Sequence, residues 1–515
     1  MALRQHFYFI TLKNYWELMP MFEIAELGHS LKNGEYKQQL PGLRTQLLSV
    51  QQQLAECNFS VFIVISGVDG SGKGEVINLL NEWMDPRYIR TNAFGKSSDE
   101  ERERPRMWRF WRTMPEKGEI GIYAGSWYSW PIAKKVKNKI NQMRLKTELH
   151  RIRQFEQELI DDGALMIKCW LHLDKATQKK RFKELEKNPQ TRWRVTKRDK
   201  KHLKTYNQFI QVAETVLKTT SSVDSPWLIV GSHNGRYRNL TVGQHVLQRI
   251  SHHIEQQRKH RKTDLELFSS IPGMANQGCL FATLDLSKNL SEKVYSKKLA
   301  FYQGKLGLLA REAHKRKISS ILVFEGWDAA GKGGAIRRLT HAMDARNYQV
   351  IRVAAPTDEE RLHHYLWRFW RHLPRAGKVT LYDRSWYGRV LVERVEGFAS
   401  KMEWLRAYSE IVNFEEDLVE HGIVLLKFWL HIDKDEQLQR FTEREKISYK
   451  RYKITEEDYR NREKWQDYEL AANEMFGRTS NHSAPWVLVE ANDKRFARIK
   501  VIKKYCEILE EKLDT

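Results

Sequence analysis

The chain has 515 residues, 41% of them apolar and 30% charged, which suffices for roughly two to four domains with sizeable cores and excludes a disordered or collagen-like chain. Lys and Arg number 88 against 65 Asp and Glu; the net charge of +23 attracts polyanions and phosphorylated substrates, so nucleic acid, inorganic polyphosphate and anionic membrane all stay open at this point. Cys57, Cys169, Cys279 and Cys506 have no metal-like spacing and no apolar stretch approaches the length of a membrane span, so a protein of the reducing cytoplasm is expected.

Residues 1–20 hold an aromatic stretch, Phe7 to Leu12, that is too short for a signal-peptide core and has no counterpart downstream. Residues 1–35 therefore read as an N-terminal extension. From there the chain repeats itself. Gly67-Val-Asp-Gly-Ser-Gly-Lys-Gly74 returns as Gly326-Trp-Asp-Ala-Ala-Gly-Lys-Gly333, and Trp108-Arg-Phe-Trp-Arg112 returns as Trp367-Arg-Phe-Trp-Arg371, both 259 positions on. The same offset links Ser126-Trp-Tyr128 to Ser385-Trp-Tyr387 and Pro226-Trp227 to Pro485-Trp486. A period this long describes a whole domain, so the protein is a tandem duplication with copies at 36–255 and 295–515. The connector, 256–294, starts with the charged run Gln256 to Lys262, continues through a Ser/Pro/Gly stretch at Ser269 to Gly278, and is expected to be rich in loops.

In the second copy, apolar runs at Ile321–Glu325, Val379–Asp383, Val424–Leu430 and Val487–Glu490 read as buried parallel strands, with helical patterns such as Glu403 to Glu420 between them. Strands alternating with helices define an α/β domain with a parallel sheet, whose ligands bind beyond the carboxyl ends of the strands. Trp108, Trp111, Trp367 and Trp370 sit three apart on helical segments and read as core, although Arg368 and Arg371 between them could face a phosphate path. His172 and His431 close apolar strands and read as hydrogen-bonded core histidines.

A strand, then Gly-x-x-x-x-Gly-Lys, then a helix is the arrangement that cradles phosphate on backbone N–H groups, with the Lys adding a point charge. The expected phosphate-binding residues are Gly326, Ala330, Gly331, Lys332, Gly333 and Gly334, with Asp69, Gly72, Lys73 and Gly74 in the first copy. Gly333 and Gly74 stand where a Ser or Thr commonly gives a hydroxyl to Mg²⁺, so the ion must find carboxylates; Asp328 and Asp383 are the candidates. Arg384 and Arg389 follow Asp383 and are suited to neutralising phosphate, while Glu393 either serves the site or pairs locally with Arg394. Arg440 and Arg444, four apart and followed by Lys446, Lys450, Arg451 and Lys453, suit a mobile lid closing over a transferring phosphoryl group; a solvated charged helix is the alternative.

At these residues the sequence resembles the polyphosphate kinase 2 family in its two-domain form. The matches are Gly-Trp-Asp-Ala-Ala-Gly-Lys-Gly-Gly-Ala-Ile (326–336), Tyr-Asp-Arg-Ser-Trp-Tyr-Gly-Arg (382–389), Val-Glu-Arg-Val-Glu-Gly (392–397) and Tyr-Lys-Arg-Tyr-Lys-Ile-Thr (449–455). The resemblance implies a P-loop kinase fold similar to thymidylate kinase, with a helical lid, and Mg²⁺-dependent transfer of the terminal phosphoryl group of polyphosphate to AMP, giving ADP. It also implies that the family's loop Asp and Lys fall on Asp328 and Lys332, its strand-end pair on Asp383 and Arg384, its helical Glu on Glu393 and its lid arginines on Arg440 and Arg444. ADP or GDP as acceptor, and a non-catalytic polyanion-binding protein, are the rival readings. Nucleic acid and membrane are not the expected partners, and a homo-oligomer is left open.

The copies are unequal. At the offset of 259, Asp383, Arg384, Arg389, Glu393 and Arg444 become Ala124, Gly125, Trp130, Lys134 and Leu185. Catalysis is therefore expected in the second copy, with the first a degenerate one that still holds phosphate.

Overall fold

The computed structural model describes residues 21–263, 280–446 and 456–514. The chain divides into two compact units, Met1–Lys96 with Thr113–Ser270 and Ser97–Arg112 with Ile271–Thr515. Thus 97–112, a stretch of the first copy, belongs to the second unit, where Trp111 stacks on Trp370 with ring centroids 5.6 Å apart. The four tryptophans of the duplicated stripe are buried, as the helical spacing predicts.

The first unit contains α1 (Asn33–Ala55), β1 (Val61–Gly67), α2 (Lys73–Trp83), β2 (Ile89–Ala93), β3 (Ile120–Ala124), α3 (Gln142–Asp161), β4 (Leu165–His172), α4 (Lys175–Lys187), α5 (Lys197–Lys204), β5 (Trp227–Gly231) and α6 (Gly235–Thr263). The second contains α7 (Glu292–Lys315), β6 (Ser320–Gly326), α8 (Lys332–Thr340), β7 (Tyr348–Arg352), β8 (Val379–Asp383), α9 (Lys401–Glu420), β9 (Val424–His431), α10 (Lys434–Lys446), α11 (Glu456–Glu463), α12 (Trp465–Thr479), β10 (Trp486–Glu490) and α13 (Lys494–Asp514). Each unit has a five-stranded parallel sheet, ordered β2-β3-β1-β4-β5 and β7-β8-β6-β9-β10. The central strands β1 and β6 are covered on both faces, which is why they read as unbroken apolar runs; each fully buried aliphatic side chain adds about 1.5–3 kcal/mol. β7 is an edge strand with exposed positions, and for that reason no apolar run marks it in the sequence.

The connector departs from expectation. Gln256 to Lys262 is the end of the helix α6 rather than loop, because a polar, charged sequence without Gly or Pro continues a helix already nucleated upstream. The Ser269–Gly278 stretch and residues 1–20 lie outside the described residues. The duplicated packing begins ahead of α1 and α7: Phe22 stacks on His172 (4.6 Å) and Phe281 on His431 (4.2 Å), and 22 and 281 are again 259 apart.

One buried ion pair occurs twice. In the middle of β9, Lys427 Nζ donates to Glu415 Oε2 of α9 (2.7 Å), to Tyr387 Oη (3.0 Å) and to the Thr479 carbonyl (2.8 Å). Lys168 does the same with Glu156 (2.8 Å) and the Thr220 carbonyl (2.7 Å). Burial pushes Glu415 up and Lys427 down, against their mutual attraction. Trp386 Nε1 also donates to Glu415 (3.0 Å), so this network holds the segment that follows β8 against the sheet. Among the described residues no helix is long and apolar enough to cross a membrane.

Candidate functional site

The turn after β6 is forced by close approach. A Cβ on Gly326, whose φ is +132°, would lie 2.2 Å from the Leu430 carbonyl oxygen, so only glycine fits; Gly67 meets Leu171 in the same way. The loop passes through Ala329 at φ +64° and Gly331 at φ +109° into the N-terminus of α8, leaving the first N–H groups of that helix without intrahelical partners. Lys332 folds back over it, Nζ donating to the carbonyls of Gly326 (2.7 Å) and Trp327 (3.1 Å).

Asp328 accepts from Arg384 Nη2 (2.9 Å) and Asn461 Nδ2 (3.0 Å). Burial alone would raise its carboxyl, but the charges of Lys332 and Arg384 and these hydrogen bonds hold it below the usual carboxylate range. Arg384 is itself in the left-handed region, φ +64°, directly after the sheet ends. Asp383 has no hydrogen-bond or ion-pair partner for its carboxylate among the described residues, and its Oδ2 lies 3.9 Å from where a Cβ on Gly333 would stand. The strand-end carboxylate thus faces the position at which a loop hydroxyl is missing.

Three participants were not singled out by sequence reasoning. Glu325, the last buried side chain of β6, accepts from Ser385 Oγ (2.8 Å); burial raises its carboxyl, opposed by that hydrogen bond and by Lys332 and Arg384. Its counterpart in the first copy is Ser66, and there the Ser126 hydroxyl is buried without a hydrogen-bond partner among the described residues. The offset therefore held the signal: Glu325 changes together with Asp383 and Arg384. Asn461 is the second. The third is Arg498 of α13, whose Nη2 is 3.4 Å from a Cβ built on Gly334, so the absence of a side chain there lets a guanidinium reach the first turn of α8.

The remaining candidates divide. Arg389 pairs with Glu393 (2.9 Å) and lies 4.5 Å from the Tyr365 ring centroid. Glu393 therefore does not pair with Arg394, which goes to Glu474 (2.7 Å) and Tyr408 (2.8 Å). Arg440 is not on a mobile lid. It is 2% exposed, and its guanidinium donates to the carbonyls of Ala329 (2.9 Å), Ala330 (3.1 Å), Ala491 (2.6 Å) and Asn492 (2.8 Å) and to Glu436 (2.5 Å). It braces the back of the loop, because four converging carbonyls satisfy a buried guanidinium. Arg444, one turn on, is partly exposed and has no ion pair among the described residues. Lys446 is exposed; Lys450, Arg451 and Lys453 lie outside the described residues. Arg368 and Arg371 are taken up by Glu360 (3.4 Å) and Glu359 (3.0 Å). His431 is a core histidine as expected, its Nδ1 accepting from Trp327 Nε1 (3.1 Å), and burial pushes it down to about 4.

The loop of the first copy is built alike but occupied differently. Lys73 Nζ donates to the carbonyls of Gly67 (2.9 Å) and Val68 (2.8 Å), Asp69 is held by His202 Nδ1 (2.7 Å), and Gly72 and Gly74 lead into α2. Where the second copy has Gly334, the first has Glu75, paired with buried Arg238 (2.8 Å). A carboxylate in that first turn opposes an incoming phosphate.

The fold is that of a duplicated P-loop kinase-type protein in which only the second copy carries the strand-end pair Asp383 and Arg384 beside its loop. The sequence profile of the polyphosphate kinase 2 (PPK2) family matches residues 30–260 and 289–514, and the chain belongs to that family. It is 48% identical over 493 residues to a polyphosphate:AMP phosphotransferase of Pseudomonas aeruginosa, covering 95% of this chain and 99% of that one. Against a polyphosphate:AMP phosphotransferase of Pseudomonas syringae pv. tomato the identity is 45%, covering 95% and 98%. A crystal structure assigned to polyphosphate kinase 2 from Pseudomonas aeruginosa PA01 superposes with a TM-score of 0.86 at 46% identity, over 96% of this chain and all of that one.

Proposed function

We propose that this protein is a polyphosphate:AMP phosphotransferase and that the second copy carries the reaction. The full-length likeness to relatives of that name, at 45–48% identity, is the observation that carries the substrates. An oxygen of the AMP phosphate attacks the terminal phosphorus of polyphosphate, the bridging P–O bond breaks, and the products are ADP and a chain one unit shorter. The nucleophile is already an anion, so the protein's work is positioning and charge neutralisation. The N–H groups at the start of α8 and Lys332 hold phosphate oxygens; Arg384, locked by Asp328, presents a guanidinium at the end of the sheet; Arg498, Arg389 and Arg444 supply further positive charge. Arg440 keeps the loop in shape, and Glu325 fixes the strand end through Ser385.

A divalent cation, Mg²⁺ in this reading, fits Asp383, a carboxylate without partner among the described residues, beside Gly333. Asp328 fits less well, since ligation would compete with Arg384 and Asn461. Among the described residues no three His, Cys, Asp or Glu side chains cluster as a metal cage, in keeping with an ion that keeps waters and binds one or two carboxylates plus substrate phosphates. When bound, it would neutralise charge on the phosphates undergoing transfer.

Among the described residues Cys57, Cys169 and Cys506 form no disulfide, which supports a reducing cytoplasm as the place of action. Shorter relatives, such as an ADP-polyphosphate phosphotransferase of Rhizobium meliloti, match only 37% of this chain, so a nucleoside diphosphate acceptor has weaker support. Incubation with polyphosphate and AMP, ADP or GDP in turn, read by chromatography, tests the assignment: ADP formed from AMP is expected. Turnover of ADP or GDP alone would overturn it.

A further inference from the structure

Much of the positive surplus of the first unit lies on two adjoining helices and the turn between them. Between Lys179 and Lys204 there are twelve Lys or Arg and three acidic residues. Eleven of these cations are solvent-exposed, on α4, α5 and the short turn Arg192–Arg194 that packs against α4. The twelfth, Arg181, turns inward to the carbonyls of Gly70, Ser232 and His233, matching Arg440 of the second copy. Among the described residues only Lys200 of the eleven is in an ion pair, with Glu186 (2.5 Å). Uncompensated cations on two adjoining helices are costly to hold together and gain most from a polyanion.

The pattern is particular to this copy. Lys197, Arg198, Lys200 and Lys201 correspond to Glu456, Glu457, Tyr459 and Arg460. The face also borders the first phosphate loop: His202 of α5 holds Asp69, and Gln178 of α4 donates to the Asp69 carbonyl (2.8 Å). Yet the loop has no charge to spare, for Lys73 is set against Asp69 (3.6 Å) and Arg238 against Glu75. Positive charge in this copy has moved from the loop to the surface beside it. Trp193, 71% exposed, is the one large apolar side chain displayed on this face among the described residues, with Arg194 5.5 Å from its ring. A path for single-stranded nucleic acid stacks successive bases on several aromatic rings, whereas a chain of phosphates needs only cations.

We infer that the α4–α5 face of the first unit is a docking surface for inorganic polyphosphate, gripping the chain through exposed Lys and Arg side chains without taking part in the transfer. This rests on polyphosphate being the donor. The test neutralises Lys197, Arg198, Lys200 and Lys201 together to Gln in the full chain; all four are exposed, and an unchanged melting curve checks the fold. The expected result is a KM for long-chain polyphosphate raised about tenfold at low salt, and a log–log salt dependence shallower by about 0.7 for each lost contact. The KM for AMP and turnover with tripolyphosphate, which offers the face few charges to grip, should stay as in the wild type. Long-chain KM and salt slope unchanged would overturn the proposal. Equal losses with tripolyphosphate would also overturn it, by placing these residues in the reaction itself. Anisotropy of labelled polyphosphate reads binding directly, so the surface stays testable even if the wild type transferred nothing to AMP. Tighter binding of a short RNA than of polyphosphate to the same four residues would assign the face to nucleic acid instead.

Discussion

Arg440 separates two pictures of the site. A lid arginine would touch the transferring phosphoryl group and contribute little to the resting fold; a brace would do the reverse. The guanidinium gives four charge-assisted bonds to backbone carbonyls from two loops, and Glu436 balances it. Hydrogen bonds to charged groups contribute about 1.5–3 kcal/mol each in isolation, but they are not additive and water would enter part of the space left behind. Breaking a buried charged pair by removing one partner costs about 3–5 kcal/mol, the range expected for Arg440→Ala. For a unit of this size that is a fall in Tm of roughly 6–20 °C. Arg181 makes three of the four equivalent carbonyl contacts in the first copy and has Thr177 where Arg440 has Glu436, so Arg181→Ala should lower the stability of its unit by less, while leaving turnover near wild type below the transition. Urea unfolding and steady-state kinetics on both variants give the answer. Arg440→Ala with an unchanged Tm and a collapsed kcat would refute the brace and restore the lid.

Asp383→Asn and Lys332→Ala should each abolish transfer from polyphosphate to AMP; Asp383→Asn should do so with an unchanged Tm, since the carboxylate it replaces has no partner among the described residues, as calorimetry beside the turnover assay would show. Glu325→Gln retains an acceptor for Ser385 and should stay within about tenfold of wild-type kcat, whereas Glu325→Ala releases the strand end and should lose about a hundredfold, the effect of a small displacement at a reacting centre. His431 titrates near 4 when folded against about 6.5 unfolded, so in that window the unfolded chain binds the extra proton. Its contribution is complete above about 6.5 and is lost as pH falls toward 4, at most about 3 kcal/mol; His431→Asn, which retains an acceptor for Trp327, should flatten the acid limb of a Tm-against-pH curve. Removal of residues 1–20 should leave kcat and KM unchanged in the same turnover assay, because every residue of the proposed site comes from the second copy.

Most of the fold was legible because the sheet is parallel and covered on both faces: β6, β8, β9 and β10 are apolar runs within one or two residues of their observed ends. The edge strand β7 was hidden by its polar, exposed positions. The phosphate loop was legible because its glycines answer to backbone geometry that no other residue satisfies, as at Gly326. Arg440 was misread for the opposite reason. A helix rich in charge looks solvated in one dimension, and nothing local reveals that one of its cations faces four carbonyls brought from loops 110 and 51 positions away.

The duplication offers an internal comparison that reading one copy cannot. Positions that serve the fold are the same in both: Lys168 and Lys427 with their glutamates, Arg181 and Arg440 with their carbonyls, Gly67 and Gly326 at their turns. Positions that differ as a set are Glu325, Asp383, Arg384, Asn461 and Gly334, which face one another around the loop and become Ser66, Ala124, Gly125, His202 and Glu75. Packing explains the first group without reference to any substrate. It does not explain the second, because the first copy folds to the same sheet order without those residues. What the second group shares is a place at the carboxyl edge of the sheet and, in the proposed reaction, a bearing on phosphate charge, and it is there, more than in the glycine loop common to both copies, that the two copies differ.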